Sequence, residues 1–112
     1  MEKVLKYRQI LTEFMQARVA RQLQWFPPRF SRCVTDTEND IYMHLYYEWK
    51  DGRYRYGVLV HFDIIDGKVW LQRNITEDDL LDELEAAGIP KSDFVLGTVS
   101  PSMRHATRYA TG

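Results

Sequence analysis

Apolar residues recur at two different spacings along this chain, and each spacing predicts a different kind of element. From Glu2 to Leu23 they recur every three or four residues, which places them on one side of a helix. That stripe consists of Val4, Tyr7, Leu11, Phe14 and Met15. We expect the helix to end near the WFPP stretch at 25–28, because proline disfavours helical geometry in the residue before it.

The middle of the chain alternates between polar and apolar residues around two Asp-Gly pairs, Asp51-Gly52 and Asp66-Gly67. Asp-Gly between such runs is the strongest short-range signal for a β-hairpin, since a type I′ turn needs positive φ at both central residues. The sequence therefore predicts an antiparallel β-meander through this region.

Each turn also predicts a register. The first turn places Leu45 opposite Val58, and the second places Phe62 opposite Leu71. Taken together, the two registers predict one apolar sheet face that the helices cover. Its residues are Met43, Leu45, Tyr47, Trp49, Tyr54, Tyr56, Val58, Val60, Phe62 and Ile64.

The opposite face of the predicted sheet mixes aromatic, apolar and polar side chains, with His61 facing Gln72 and Asp63 facing Trp70. Such a mixture is typical of contact surfaces. We predict that this face binds a partner chain or a second copy of the protein; the alternative is that the C-terminal segment folds over it. The candidate interaction residues are Tyr42, His44, Tyr46, His61, Asp63, Trp70 and Gln72.

The remaining elements complete an α+β fold in a single domain of residues 1–112. A second helix is predicted near residues 77–87, with Thr76 as N-cap and Gly88 as C-terminal stop. Short strands are predicted at 94–99 and around 29–35. The predicted architecture is an antiparallel meander with two helices on its apolar face.

His61 and Asp63 are the residues most suggestive of chemistry, because alternation places them on one side of a strand. Positions two apart on a strand are roughly 6.5–7 Å apart, which we expect to be too far for a direct hydrogen bond. No nucleophile setting accompanies them. A metal cluster of His44, His61 and Asp63 is the alternative, although no ligand spacing supports it. We predict no catalytic residue, no cofactor and no metal.

Charge and composition limit the classes of partner that we expect for this chain. The 112 residues carry a formal net charge of −1, with a pI near 6.3, which does not favour non-specific nucleic-acid binding. The basic residues that could form a patch for direct DNA contact are Arg18, Arg21, Arg29 and Arg32. A single cysteine, Cys33, excludes an internal disulfide. No apolar leader or membrane-length run is present, so we expect a cytoplasmic protein.

Several longer motifs occur together: KYRQIL at 6–11, DTENDIY at 36–42, YGVLVHFDIIDGKVWLQ at 56–72 and GIPKSDFVLG at 88–97. With these motifs the chain resembles the XisI family, the fdxN-element excision controlling factors of cyanobacteria. The resemblance covers nearly the whole chain.

The resemblance implies an accessory role in site-specific DNA excision during heterocyst development. A recombinase complex would perform the reaction, and this chain would act with a nuclease-like companion of the XisH type. Two alternatives stay open: an antidote-like or regulatory partner of a nuclease-like protein, and a directionality factor that contacts DNA directly.

Overall fold

The computed structural model describes the backbone of residues 2–25 and 30–112 and the side chains of residues 2–21 and 31–112. The five strands of the described chain form one sheet, in which their spatial order follows their order along the chain. Short 3-10 helices lie at Lys91–Asp93 and Pro101–Ala106. The predicted α+β fold is confirmed. The main elements are α1 (Glu2–Trp25), β1 (Phe30–Asp36), β2 (Ile41–Lys50), β3 (Arg53–Ile65), β4 (Lys68–Asn74), α2 (Leu80–Ala87) and β5 (Phe94–Leu96).

Helix α1 packs its apolar stripe against one face of the sheet. Tyr7, Leu11 and Met15 are buried, and the ring of Phe14 meets that of Phe62 edge-on with centroids 6.4 Å apart. The predicted helix and stripe are confirmed, and the helix ends at Trp25, at the start of the stretch where its end was expected. The prolines expected to end it lie outside the described residues.

Both Asp-Gly pairs form the predicted turns. The φ angles are 52° and 74° at Asp51 and Gly52, and 50° and 77° at Asp66 and Gly67. Positive φ at both central residues is the mark of a type I′ turn, whose twist matches that of the flanking strands. The predicted registers next to both turns are confirmed. The upstream strand, β1, is confirmed too and pairs antiparallel with β2.

One extra residue in β3 decides which face the helices cover. His44 lies opposite Val60, whereas Leu45 lies opposite Val58, so Leu59 has no counterpart in β2. This is a β-bulge, in which two residues of one strand oppose a single residue of its neighbour. Leu59 and Val60 are both buried. Beyond the bulge, the alternation of β3 is shifted by one residue.

The prediction of a single covered apolar face is therefore wrong. Each hairpin has its predicted register, but the bulge between them places the apolar residues of the first turn on the opposite face from Phe62 and Ile64. We call the side packed against α1 the covered face and the other side the outer face. The covered face carries Tyr42, His44, Tyr46, Glu48, Val60, Phe62 and Ile64. The outer face carries Met43, Leu45, Tyr47, Trp49, Tyr54, Tyr56 and Val58.

A second bulge lies in β4. His61 pairs with Arg73 and Phe62 pairs with Leu71, so Gln72 is the additional residue. The predicted pairing of His61 with Gln72 is wrong for this reason. The predicted pairing of Asp63 with Trp70 is confirmed.

Helix α2 begins three residues later than expected. Its N-cap is Asp79, whose side chain accepts a hydrogen bond from the backbone N–H of Asp82, and not Thr76. Thr76 instead donates its hydroxyl to Oδ1 of Asn74 at 2.6 Å, which fixes the loop before the helix. Gly88 ends the helix as predicted, with φ at 122° and its N–H bonded to the last turn.

The chain after α2 returns to the sheet edge. β5 pairs with β4 in parallel, so the sheet is antiparallel except at this last pair. The backbone N–H of Ala110 then donates to the carbonyl of Phe94 at 2.8 Å, which holds the end of the chain beside β5. The ring of Tyr109 meets that of Phe94 edge-on with centroids 6.1 Å apart.

Candidate functional site

His61 and Asp63 form a direct hydrogen bond on the outer face. Nε2 of His61 lies 2.8 Å from Oδ1 of Asp63, so the expectation that the two are too far apart is wrong. The strand rise separates their backbones, but the side chains lean towards each other along the strand. The two side chains are 29% and 21% exposed, so the pair lies at the surface of the sheet.

Gln72 completes this cluster from β4. Its Nε2 donates to Oδ2 of Asp63 at 3.2 Å, so both carboxylate oxygens of Asp63 take part in hydrogen bonds. The bulge in β4 lets Gln72 share the face of His61 in addition to Arg73. Gly97 leaves the room for this arrangement, because a Cβ at position 97 would overlap Oε1 of Gln72. The cluster thus depends on the bulge at Gln72 and on the glycine at position 97.

The chemistry available to this cluster is that of a positioned imidazole. With a proton on Nε2, His61 donates to Asp63 and leaves Nδ1 as an acceptor. His44 cannot join it, because that side chain is fully buried on the covered face. The alternative metal cluster of His44, His61 and Asp63 is therefore wrong. Among the described residues there is no group of three or more His, Cys, Asp and Glu side chains that could hold a metal ion.

The bulge also divides the predicted interaction face. Tyr42 and His44 are fully buried on the covered face, and Tyr46 is half-buried there with its ring over Gly57. The prediction that these three share a face with His61 and Asp63 is wrong, because the bulge at Leu59 reverses the alternation of β3 relative to that of β2. The residues that do share the outer face are His61, Asp63, Trp70 and Gln72.

The C-terminal segment covers part of that face. The guanidinium of Arg104 lies over the Trp70 indole, 4.9 Å from its centroid, and Nε of Arg104 donates to the carbonyl of Val99 at 3.0 Å. A Cβ at Gly112 would lie 3.3 Å from the Trp70 ring. The alternative that the segment folds over this face is therefore confirmed at Trp70. Away from it, residues of β1, β2 and β3 remain exposed.

That open part of the outer face surrounds the first hairpin, and sequence reasoning missed it. We call it the hairpin face. Trp49 and Tyr54 stack with centroids 5.3 Å apart, and Trp49 and Tyr56 are 72% and 65% exposed. The available signal was the position of Trp49 and Tyr54 next to the Asp51-Gly52 turn. Its residues are Val34, Met43, Leu45, Tyr47, Trp49, Tyr54, Tyr56 and Val58.

Of the basic patch predicted from Arg18, Arg21, Arg29 and Arg32, Arg18 does not offer an exposed charge. Arg18 is buried and donates from Nη2 to Oδ2 of Asp78 at 3.0 Å, while Nη1 lies 3.8 Å from Glu83. Its charge is thus neutralised by the acidic start of α2. Arg21 is exposed on α1 and Arg32 is exposed on the outer side of β1, while Arg29 lies outside the described residues.

Two buried tyrosines hold carboxylates at the other end of the sheet. Tyr7 donates to Oδ2 of Asp93, and burial together with this bond raises the pKa of Tyr7 to about 12. Tyr42 donates to Oδ1 of Asp40 at 3.2 Å, and its pKa is raised by burial and by the Asp40 charge. Arg8 bonds both oxygens of Asp40, at 2.8 and 3.2 Å. These contacts fasten α1 to the sheet.

Within the described chain, no helix is both long enough and apolar enough to cross a membrane.

Comparison with known families identifies the class of protein. The family model described as XisI protein matches residues 1–111, and the chain therefore belongs to the XisI family. A comparison with curated proteins finds no match.

Two solved structures from Anabaena variabilis ATCC 29413 share the fold. A XisI-like protein is 29% identical, with a TM-score of 0.89 over 97% of this chain and 99% of that one. The fdxN element excision controlling factor XisI is 28% identical, with a TM-score of 0.80 over 98% of this chain and 99% of that one. The likeness therefore extends over nearly the full length of all three chains.

Proposed function

We propose that this protein is a non-enzymatic controlling factor for the site-specific excision of a DNA element, and that it acts through a partner protein of the XisH type. The observation that carries the proposal is the likeness to the fdxN element excision controlling factor XisI, which spans 98% of this chain. Membership of the XisI family over residues 1–111 supports it.

The distribution of side chains also supports a factor that controls excision through contacts with another protein. A recombinase would break and join DNA, whereas this chain would regulate it. The His61 cluster has a positioned imidazole, but Asp63 and Gln72 supply an acceptor and an amide, neither of which is placed as an activated nucleophile. The exposed aromatic rings of the hairpin face have the composition of a protein contact surface.

Co-expression with an XisH-type protein encoded next to its gene tests the proposal. We expect the two chains to purify together through a tag on either one and to elute as one species of combined mass. Deleting the gene should change the frequency of element excision in the host. An unrelated tagged protein of similar size is the control for purification.

Two results would contradict the proposal. One is separate elution of the two chains together with an unchanged excision frequency in the deletion strain. The other is cleavage of element-end DNA by this chain alone, retained through further purification and abolished by His61→Ala, which would make it an enzyme.

A further inference from the structure

The end of the β2–β3 hairpin is exposed on both of its sides, and the two sides differ in chemistry. Every residue from 49 to 56 is exposed. Pairing and alternation place the rings of Trp49, Tyr54 and Tyr56 on the outer face. The cations of the hairpin lie on the opposite side, which is that of Glu48, and are Lys50, Arg53 and Arg55. The hairpin face therefore has an uncharged centre, because no outer position of the described strands between Leu45 and Val58 carries a charged side chain.

The exposed ring surface is large enough for an interface between two copies of the chain. Trp49, Tyr56 and Tyr54 are 72%, 65% and 54% exposed. With about 200 Å² for a whole aromatic side chain, they leave roughly 400 Å² of ring surface in water. Two copies placed face to face would bury about 800 Å² from these rings alone, and a specific interface needs about 1,000 Å² in total. The rest comes from the half-buried side chains of the same strands, namely Leu45, Tyr47 and Val58.

An uncharged, aromatic centre has the composition of an interface between identical chains. Homodimer interfaces are more apolar than those between proteins that also exist apart, which are about as apolar as the remaining protein surface. The net charge of −1 also leaves little electrostatic repulsion between two copies.

Nucleic acid fits this surface less well. Single strands bind where bases stack on rings that line a basic groove. Here the cations of the hairpin, Lys50, Arg53 and Arg55, lie on the side away from the rings.

The order of the cross-strand pairs makes the hairpin face complementary to itself. In order from the turn, the pairs are Trp49–Tyr54, Tyr47–Tyr56 and Leu45–Val58. A two-fold axis that passes through the second pair and runs across the strands would set the first pair of one copy against the third pair of the other. The most exposed rings would thus meet the smaller aliphatic side chains, as in the interdigitated core between two packed sheets.

The cations that border the hairpin face suit the same arrangement. Arg32 pairs with Leu45, and Nε of Arg73 donates to the carbonyl of Val58 at 2.7 Å, so an exposed guanidinium flanks each side of the third pair. In the two-fold arrangement these groups lie beside the first pair of the other copy, whose rings attract a guanidinium. Arg32 and its counterpart in the other copy stay two pairs apart, roughly 13 Å along the strands.

The C-terminal segment does not obstruct this contact. It covers Trp70, whose partner in β3 is Asp63. Asp63 lies three cross-strand pairs from Tyr56 on the outer face, a distance of roughly 20 Å along the strand. The segment of one copy would therefore lie beyond the turn of the other copy.

We propose that the hairpin face is the interface of a symmetric homodimer, in which Trp49 and Tyr54 of one copy pack against Leu45 and Val58 of the other. The Tyr56 rings of both copies meet at the two-fold axis. This inference goes beyond the proposed function and does not depend on it, since it concerns the chain alone.

Sedimentation equilibrium of the purified chain, from micromolar to submillimolar concentration, tests the dimer. The chain of 13.3 kDa should sediment with twice that mass. Trp49→Ala should raise the Kd of the dimer at least about tenfold, because truncating a central aromatic anchor removes a large share of interface energy. Leu5→Ala, at a 60% exposed position on α1, is the matched control and should dimerise as wild type does.

Charge complementation tests the symmetry of the interface. Tyr56→Glu and Tyr56→Lys each place like charges beside the axis, so each variant alone should be monomeric. An equal mixture of the two should dimerise, because opposite charges then meet. Unchanged far-ultraviolet circular dichroism of each variant shows that a loss of dimer is not a loss of fold, and a mixture that stays monomeric would contradict the two-fold contact.

Other outcomes would overturn the interface or leave it standing. A wild type that stays monomeric over the whole range overturns it, and so do dimers that Trp49→Ala and Tyr56→Glu leave intact. Binding of a labelled oligothymidylate or of the XisH-type protein to a monomeric wild type, abolished by Trp49→Ala, would assign the surface to that partner instead. Failure of the XisH-type protein to purify with a dimeric chain contradicts the proposed function alone.

Discussion

The guanidinium of Arg104 lies 4.9 Å from the centroid of the Trp70 indole. This contact fastens the C-terminal segment to the outer face at β4 and leaves the hairpin end of the same face open. The outer face is thus divided into a part covered by the chain itself and a part that stays exposed.

Arg104→Ala should lower the free energy of unfolding by about 1–2 kcal/mol. The change removes the cation–π contact with Trp70 and the hydrogen bond to the carbonyl of Val99. Urea unfolding measures the loss, and hydrogen exchange should quicken in residues 101–112. Arg108→Ala, at an exposed position of the same segment, should change little. Equal effects of the two variants would refute the structural role of Arg104.

Gly97→Ala should destabilise the protein by about 1–3 kcal/mol, because the added methyl overlaps Oε1 of Gln72 and lies 3.2 Å from the backbone carbonyl of Leu71. Gln72 would then lose its hydrogen bond to Asp63. A double-mutant cycle with Gln72→Ala checks this: the two changes together should cost less than the sum of each alone. Strict additivity would show that Gln72 is not the group in the way.

Ionisation of Tyr7 should lower the free energy of unfolding in alkaline solution. Its pKa is about 12 in the folded protein against 10.0 for an ordinary tyrosine, so its contribution is complete below pH 10 and is lost as pH rises towards 12. About two pKa units correspond to about 3 kcal/mol in total. Urea unfolding from pH 8 upward should show Tyr7→Phe less stable than wild type, with the difference narrowing above pH 10. A difference that stays constant across this range would contradict the shifted pKa.

Removing Arg18 and removing its partners, Asp78 and Glu83, should lower the free energy of unfolding by different amounts. Arg18 is 7% exposed, whereas Asp78 and Glu83 are 56% and 47% exposed. Arg18→Met returns two acids to water and should cost about 1 kcal/mol or less, while Asp78→Ala with Glu83→Ala leaves a buried guanidinium unpaired and should cost about 2 kcal/mol or more.

The matched control for that pair removes the same charge from neighbouring exposed acids, with Glu77→Ala and Asp82→Ala together. Urea unfolding of the three variants should place the control near wild type and the Asp78 and Glu83 variant lowest. A greater loss of stability in Arg18→Met than in the variant that lacks Asp78 and Glu83 would contradict the idea that the unpaired guanidinium is the costlier state.

The sequence by itself determined the local structure of this protein. Asp51-Gly52 and Asp66-Gly67 adopt positive φ as their types require, and the pairs beside each turn follow from the geometry of a two-residue loop. The stripe of α1 and the stop at Gly88 are equally local, since helix periodicity and glycine at φ 122° depend on near neighbours.

Only the tertiary structure decided which face is covered. β2 is rich in aromatic residues on both sides, so alternation alone does not distinguish the set containing Tyr42 from the set containing Trp49. The single additional residue Leu59 selects the first for the core and leaves the second exposed. A bulge has no signature in a pattern of period two, because it is stabilised by how well both strands then pack against α1. The outer-face cluster follows from the same cause, since the second bulge, at Gln72, brings that side chain to Asp63.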